Sequence, residues 1–233
     1  MILWIMLYQP WLQNPQWENA DPKLDKLKSA TIQLKHFNQI IKDIPTKTGI
    51  FSVLGPRQVG KSTLLRRLAK KFLTKLKPQT IALIEGDLIE SWHDLIDQLE
   101  GFITALPQKK LAGAVLIDEI TAIEGWHRAL KFLADQGKLD SVIIVFTGSS
   151  STSLKKGGEL LPGRRGPHKK TEFYLFPASY KEVAEHMTLL EYFHVGGFPW
   201  SVNEYIKFQS VPEFVGEIYW SWLKGEFLKQ GKS

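Results

Sequence analysis

The chain contains no cysteine. That excludes a disulfide framework, a thiolate zinc site and a thiol nucleophile, and it fits a reducing compartment such as the cytoplasm. Long apolar runs are also lacking. The apolar opening "MILWIMLY" gives way after Tyr8 to polar "QPWLQNPQW", well short of the roughly 20 residues a membrane helix needs. No Lys or Arg precedes it, so a secretory signal is not expected either. We read it as an apolar arm packed on a domain, anchored by Trp4, Trp11 and Trp17, and expect no membrane partner.

What is present is ordinary for a folded protein: 43% apolar and 23% charged residues among 233. That length supports one sizeable core and a smaller appended part. A net charge of +6 admits nucleic acid or acidic partners without establishing either.

Residues 1–30 show no sustained period, apart from a short helix expected at "DPKLDKLKSA". Leu34, Phe37, Ile40, Ile41 and Ile44 form a helical stripe that Pro45 stops. "GIFSVLG" is an apolar run opening into a glycine loop, hence a buried strand. The span Lys61 to Lys77 carries Leu64, Leu65, Leu68, Phe72, Leu73 and Leu76 on one face, a helix that Pro78 ends. Strand "TIALIEGD", helix "SWHDLIDQLEGFITAL", strand "AGAVLIDE", helix "GWHRALKFLADQG" and strand "SVIIVFTGS" follow. A loop rich in Gly, Pro, Lys and Arg then leads to "TEFYLFP" as a fifth strand, with helical pattern after Pro177. Strands alternating with helices imply an α/β fold with a parallel sheet covered on both faces.

Gly55-x-x-x-x-Gly60-Lys61-Ser62 has P-loop spacing and lies between a strand and a helix, where phosphate binding requires it. Gly55, Pro56, Arg57, Gln58, Val59, Gly60, Lys61, Ser62 and Thr63 would wrap the phosphates with backbone N–H groups at a helix N-terminus. Lys61 would reach the β- and γ-phosphates, and the Ser62 hydroxyl would ligate Mg²⁺. Asp118 and Glu119 end a buried strand, at the edge where open α/β sheets bind ligands. Asp118 suits Mg²⁺; Glu119 suits orienting a water in line with the γ-phosphate, which favours hydrolysis over phosphoryl transfer. Thr147 and Ser149 of "TGSSS" are candidates for sensing the γ-phosphate, ordinary turn chemistry being the alternative. Glu85 and Asp87 read as a solvated strand end, or else as neighbours of Glu119.

The strand and helix at residues 80–106, between Lys61 and Asp118, assign the chain to the additional-strand branch of P-loop NTPases. Guanine readers carry Asn-Lys-x-Asp; Gly137-Lys138-Leu139-Asp140 lacks the Asn, so ATP is favoured over GTP. The basic loop from Lys155 to Lys170 offers Lys155, Lys156, Arg164, Arg165, Lys169 and Lys170. It reads in three ways: a solvated loop, a contact to nucleic acid phosphates, or the source of an arginine that senses nucleotide.

These residues resemble prokaryotic AAA-type ATPases in which a P-loop domain precedes a nuclease-like C-terminal domain of unknown function. The resemblance is carried by "GPRQVGKSTLL", "LIDEITAIEGWHRALKFLAD", "TGSSS", "LPGRRG", "LFPASYKEV" and "GGFPWSVNEY". It implies an ATP-binding AAA fold with a five-stranded parallel sheet between helices and a small helical lid. It implies Pro199 of "GGFP" near adenine and matches Arg164 to the family's Gly-Arg string. The expected organisation is an arm over 1–30, a P-loop ATPase core over 31–177, and over 178–233 a lid with the start of a C-terminal region. The chain ends at Ser233 inside what reads as an unfinished helix, so most of that C-terminal domain is expected to be absent. Three functions stay open: an Mg²⁺-dependent ATPase, a nucleotide-holding switch with negligible turnover alone, and a nucleic-acid-binding module. A homo-oligomer is open too.

Overall fold

A computed structural model of the chain describes residues 7–32, 34–149, 161, 163–210, 216, 220 and 224. Trp4, Lys155, Lys156 and most of the C-terminal tail lie outside them. The described parts of Met1–Ser29 and His36–Phe176 form one compact unit, and those of Ala30–Lys35 and Pro177–Ser233 form a second.

The first unit is a sheet between helices. Its elements are β1 (Leu7–Tyr8), α1 (Pro10–Gln13), α2 (Trp17–Ala20), α3 (Pro22–Lys28) and α4 (Lys35–Asp43), whose first residue belongs to the second unit. There follow β2 (Gly49–Leu54), α5 (Lys61–Leu73), β3 (Ile81–Glu85), α6 (Trp92–Thr104), β4 (Gly113–Asp118), α7 (Trp126–Asp135), β5 (Val142–Gly148) and β6 (Glu172–Tyr174). The six strands lie in the order β1-β3-β4-β5-β2-β6. All neighbours are parallel except β1, which pairs antiparallel with β3. Every residue of β2, β4 and β5 is buried, the signature of parallel strands covered on both faces. Alternate residues such as Ala82, Ile84, Val115, Ile117, Ile144 and Phe146 join Leu95, Leu99 and Phe102 of α6 and Trp126, Leu130 and Leu133 of α7 in one core. On the opposite face, α5 packs against β3, β4 and β5 through its buried stripe of Leu64, Leu65, Leu68 and Phe72.

The structure differs from the sequence reading at two points and adds the strand order. The arm is not wholly irregular: Leu7 and Tyr8 extend the sheet, and the Gln9 side chain donates to Ile81 O at 2.6 Å. Main-chain pairing to a sheet edge leaves no periodic trace in a two-residue segment. Helix α5 stops at Leu73 rather than Lys77, where the Thr74 and Lys75 amides tighten to the i−3 carbonyls of Lys71 and Phe72 and the Thr74 hydroxyl also donates to Lys71 O. The strand lying between β2 and β4 is β5, whereas the strand between them in sequence, β3, sits beyond β4. Sequence order and spatial order differ because each parallel crossover is free to skip a position.

The second unit contains α8 (Tyr180–Val183), α9 (Leu189–Val195) and α10 (Pro199–Phe208). Ser179 with Glu182, and Thr188 with Glu191, form capping boxes that start the first two. The Tyr205 hydroxyl on α10 donates to Glu191 Oε1 at 2.5 Å, tying α10 to the start of α9. Among the described residues, no helix is long and apolar enough to cross a membrane.

Candidate functional site

Because β2 to β6 are parallel, their C-terminal ends share one edge of the sheet. The glycine loop leaves β2 there, Glu85 ends β3, Asp118 ends β4, and Thr147 with Gly148 ends β5. Register places Thr147 beside Val53 and sets Glu85 beside Asp118.

Gly55 is forced by close approach: a Cβ there would sit 2.3 Å from the carbonyl oxygen of Leu175. Gly60 has φ of +100° and precedes Lys61, the first residue of α5. Leu64 N donates to Gly60 O at 2.9 Å. The amides before Leu64 belong to the first turn, where a helix offers donors that no helical carbonyl meets. Arg57 and Gln58 form the exposed crest of the loop, Val59 is buried beneath it, and Ser62 and Thr63 are half-buried.

Lys61 is buried and turns back onto its own loop, donating to Gly55 O at 2.9 Å and Pro56 O at 2.7 Å. Burial pulls its pKa from 10.5 down to about 8, against the opposing pull of the Glu119 and Asp118 charges; Arg57 adds to the lowering.

The two acidic residues are bridged by one hydroxyl. Thr147 Oγ1, fully buried, donates to Asp118 Oδ1 at 2.7 Å and accepts from Glu119 N at 3.0 Å. Its proton is thus directed at Asp118, so the geometry makes Thr147 a brace of the acidic pair. Glu119 has left-handed backbone, φ 50° and ψ 50°. Its Oε1 accepts from Thr121 Oγ1 at 2.6 Å, Ser149 N at 2.9 Å and Ser149 Oγ at 2.8 Å. Oε2 makes no hydrogen bond with a described residue. Burial pushes the Glu119 carboxyl upward, but these hydrogen bonds and the Lys61 charge outweigh it and hold the pKa below the ordinary value.

Sequence reasoning missed Arg66. It lies on the buried side of α5, one turn beyond Ser62, where a charge among leucines requires partners. Its Nε donates to Asp21 Oδ2 at 2.9 Å, NH2 to Glu85 Oε1 at 2.9 Å and NH1 to Ser62 O at 3.2 Å, while NH1 stands 3.8 Å from Asp118 Oδ2. Glu85 therefore pairs with Arg66 beside Asp118, and it is not a merely solvated strand end.

The structure brings the loop, Lys61, Asp118, Glu119, Thr147 and Ser149 to one edge. It does not bring Arg164 there. Arg164 forms a two-pronged ion pair with Asp135, the last residue of α7. Arg165 meets Glu172 at 2.9 Å and Thr171 Oγ1 at 3.3 Å, and its carbonyl accepts from Ile50 N at the start of β2. Lys170 lies 4.7 Å above the ring of Phe173 and 4.0 Å from Asp43. Pro199 is in the second unit, where it opens α10.

Asp118 presents a carboxylate, and Ser62, the second residue of α5, a half-buried hydroxyl, oxygen donors of the kind Mg²⁺ takes. Among the described residues no group of three His, Cys, Asp or Glu converges. The donor set therefore fits a metal held jointly with phosphate oxygens rather than an all-protein cage.

A family model described as an AAA domain matches residues 47–184. No curated protein matches the chain. Among solved structures, the chain is similar to the Walker-type ATPase of Pyrococcus abyssi, at 16% identity and a TM-score of 0.55 over 85% of this chain and 75% of that one. Cdc6p from Pyrobaculum aerophilum matches at 15% identity and a TM-score of 0.47, over 77% of this chain and 52% of that one. A RuvB mutant from Thermotoga maritima matches at 16% and 0.45, over 74% of this chain and 57% of that one. At 16% identity the likeness to the Pyrococcus abyssi ATPase concerns the fold alone.

Proposed function

The chain belongs to the AAA domain family and has a P-loop NTPase fold with the additional strand, and on that premise we propose that it is an Mg²⁺-dependent ATPase whose hydrolysis drives a conformational change. The observation that carries this reading is the Asp118–Glu119 pair, joined through Thr147 and acting on the charge of Lys61.

In this mechanism the first-turn amides of α5 and the loop from Gly55 to Thr63 hold the phosphates. The Lys61 ammonium exchanges the Gly55 and Pro56 carbonyls for β- and γ-phosphate oxygens. Ser62 and Asp118 would hold the metal, which when bound supplies charge neutralisation and polarises the γ-phosphoryl group. Glu119 Oε2 accepts a hydrogen bond from the attacking water. As the water oxygen bonds to the γ-phosphorus, the bond to the β–γ bridging oxygen breaks and the water's proton moves toward Glu119. A carboxylate held below the usual pKa is a weak base, so its main contribution is orientation.

A second reading, the nucleotide-holding switch, is favoured by the same clamp, since three donors on Oε1 restrain the carboxylate. Glu119→Gln separates the two. Under the ATPase reading the variant keeps ATP affinity and loses about 10²–10⁴ in steady-state turnover. Wild-type turnover no faster than that of the variant favours the switch. The nucleic-acid reading draws less support, because Arg164 and Arg165 already face Asp135 and Glu172.

A further inference from the structure

The N-terminal arm reaches the metal-site carboxylate. Asp21 caps α3, its Oδ1 accepting from Lys23 N at 2.9 Å and Leu24 N at 3.0 Å, while its Oδ2 takes the Arg66 guanidinium. This pair is buried, with side chains 4% and 7% exposed. Upstream, Trp11 and Trp17 are buried edge-to-face at 5.5 Å, and Trp11 Nε1 donates to Pro78 O at 2.9 Å. The described part of the arm is thus held at Trp11, Trp17 and Asp21, and that places Lys23 beside the strand end of Asp118. Its Nζ stands 3.6 Å from Asp118 Oδ2, the oxygen turned away from Thr147.

Two cations therefore face that oxygen. Arg66 is buried and anchored by Asp21, Glu85 and Ser62 O. Lys23 is 42% exposed at the side chain and can swing into solvent at small cost. We propose that Lys23, carried by the arm, is a tethered cation that competes with a divalent metal ion for Oδ2 of Asp118, coupling metal loading to the arm. This rests on the metal role proposed above for Asp118. A divalent ion at Asp118 repels the ammonium, so loading releases Lys23; conversely, Lys23 in place weakens the metal by the same factor.

The test is Mn²⁺ binding to the ADP-loaded full chain, followed by electron paramagnetic resonance of free Mn²⁺. Lys23→Met should bind Mn²⁺ about two- to fivefold more tightly than wild type, the range of an exposed ion pair, and Lys23→Arg should match wild type. Asp118→Asn should weaken Mn²⁺ and serves as the reference. If Asp118→Asn weakens binding but Lys23→Met equals wild type or binds less tightly, the competition is overturned while the metal site stands. If Asp118→Asn has no effect, the metal site and the competition both fall. A second readout is acetylation of Lys23 by an N-hydroxysuccinimide ester, measured by mass spectrometry. It should rise when Mg²⁺ is added to the ADP complex, and an unchanged rate would also overturn the proposal.

Discussion

Under the phosphate role proposed for it, Lys61 would tie nucleotide binding to pH. Its pKa of about 8 in the unliganded fold lies below the ordinary 10.5 because burial disfavours the ammonium. Phosphate contact requires the charged form, so ATP binding above about pH 8 must be accompanied by proton uptake. Affinity should fall roughly tenfold between about pH 7.5 and 9, as expected for one linked proton. Calorimetry in buffers of different ionisation enthalpy would read the uptake, and Lys61→Met should bind weakly with no such dependence. Stability of the unliganded chain runs the other way. The cost of the buried ammonium is fully present below pH 8 and is relieved as pH rises from 8 towards 10.5. A wild-type affinity flat across that range would show that Lys61 does not carry the phosphate charge.

The arm's short helices are too brief to stand alone, and a helix of seven residues such as α3 depends on its cap and its packing. Asp21 serves both: it satisfies two first-turn amides and neutralises the buried Arg66. Asp21→Ala removes the cap and leaves Arg66 with Glu85 as its nearest remaining close carboxylate partner. We expect a loss of about 2–4 kcal/mol by urea unfolding, from the cap together with the broken buried pair. Asp21→Asn should lose less, since the amide oxygen can still cap. Equal losses in the two variants would mean that the cap contributes nothing beyond the ion pair.

The sheet of the first unit has two edges, and they carry different residues. The phosphate loop leaves the C-terminal end of β2, while Arg165 O is bonded to Ile50 N at its start. Five residue steps at about 3.3 Å each put roughly 17 Å between Ile50 and Gly55. Arg164, held beside Asp135, is therefore not placed at its own loop, and the role proposed for it at phosphate is one reached across copies of the chain. The Arg164–Asp135 pair is exposed, so breaking it for such a contact costs little. We expect Arg164→Ala to leave ATP affinity nearly intact while turnover falls and, if the arginine acts across copies, mixing it with Glu119→Gln to restore part of the activity. Wild-type turnover in Arg164→Ala alone would return the loop to solvent.

What the sequence by itself determined is what contiguous residues can specify. The spacing from Gly55 to Ser62, the adjacency of Asp118 and Glu119, and the alternation of buried strands with striped helices are local patterns, legible because backbone geometry repeats over a few residues. The P-loop class followed from them, and the expectation of ATP over GTP followed from the absence of an Asn before Lys138. The tertiary structure decided which distant groups meet. Parallel crossovers put β5 between β2 and β4, so Thr147 bridges the acidic pair, and no property of "TGSSS" alone distinguishes a brace from a sensor. Arg66 was the one legible clue to the charge cluster, a cation in a leucine stripe, yet nothing near it in sequence names Asp21, forty-five positions away. Lys23 was one lysine among many in a basic chain. Coulomb attraction depends on distance in space and carries no period along the chain, and for that reason the coupling of the arm to Asp118 appears only once the chain is folded.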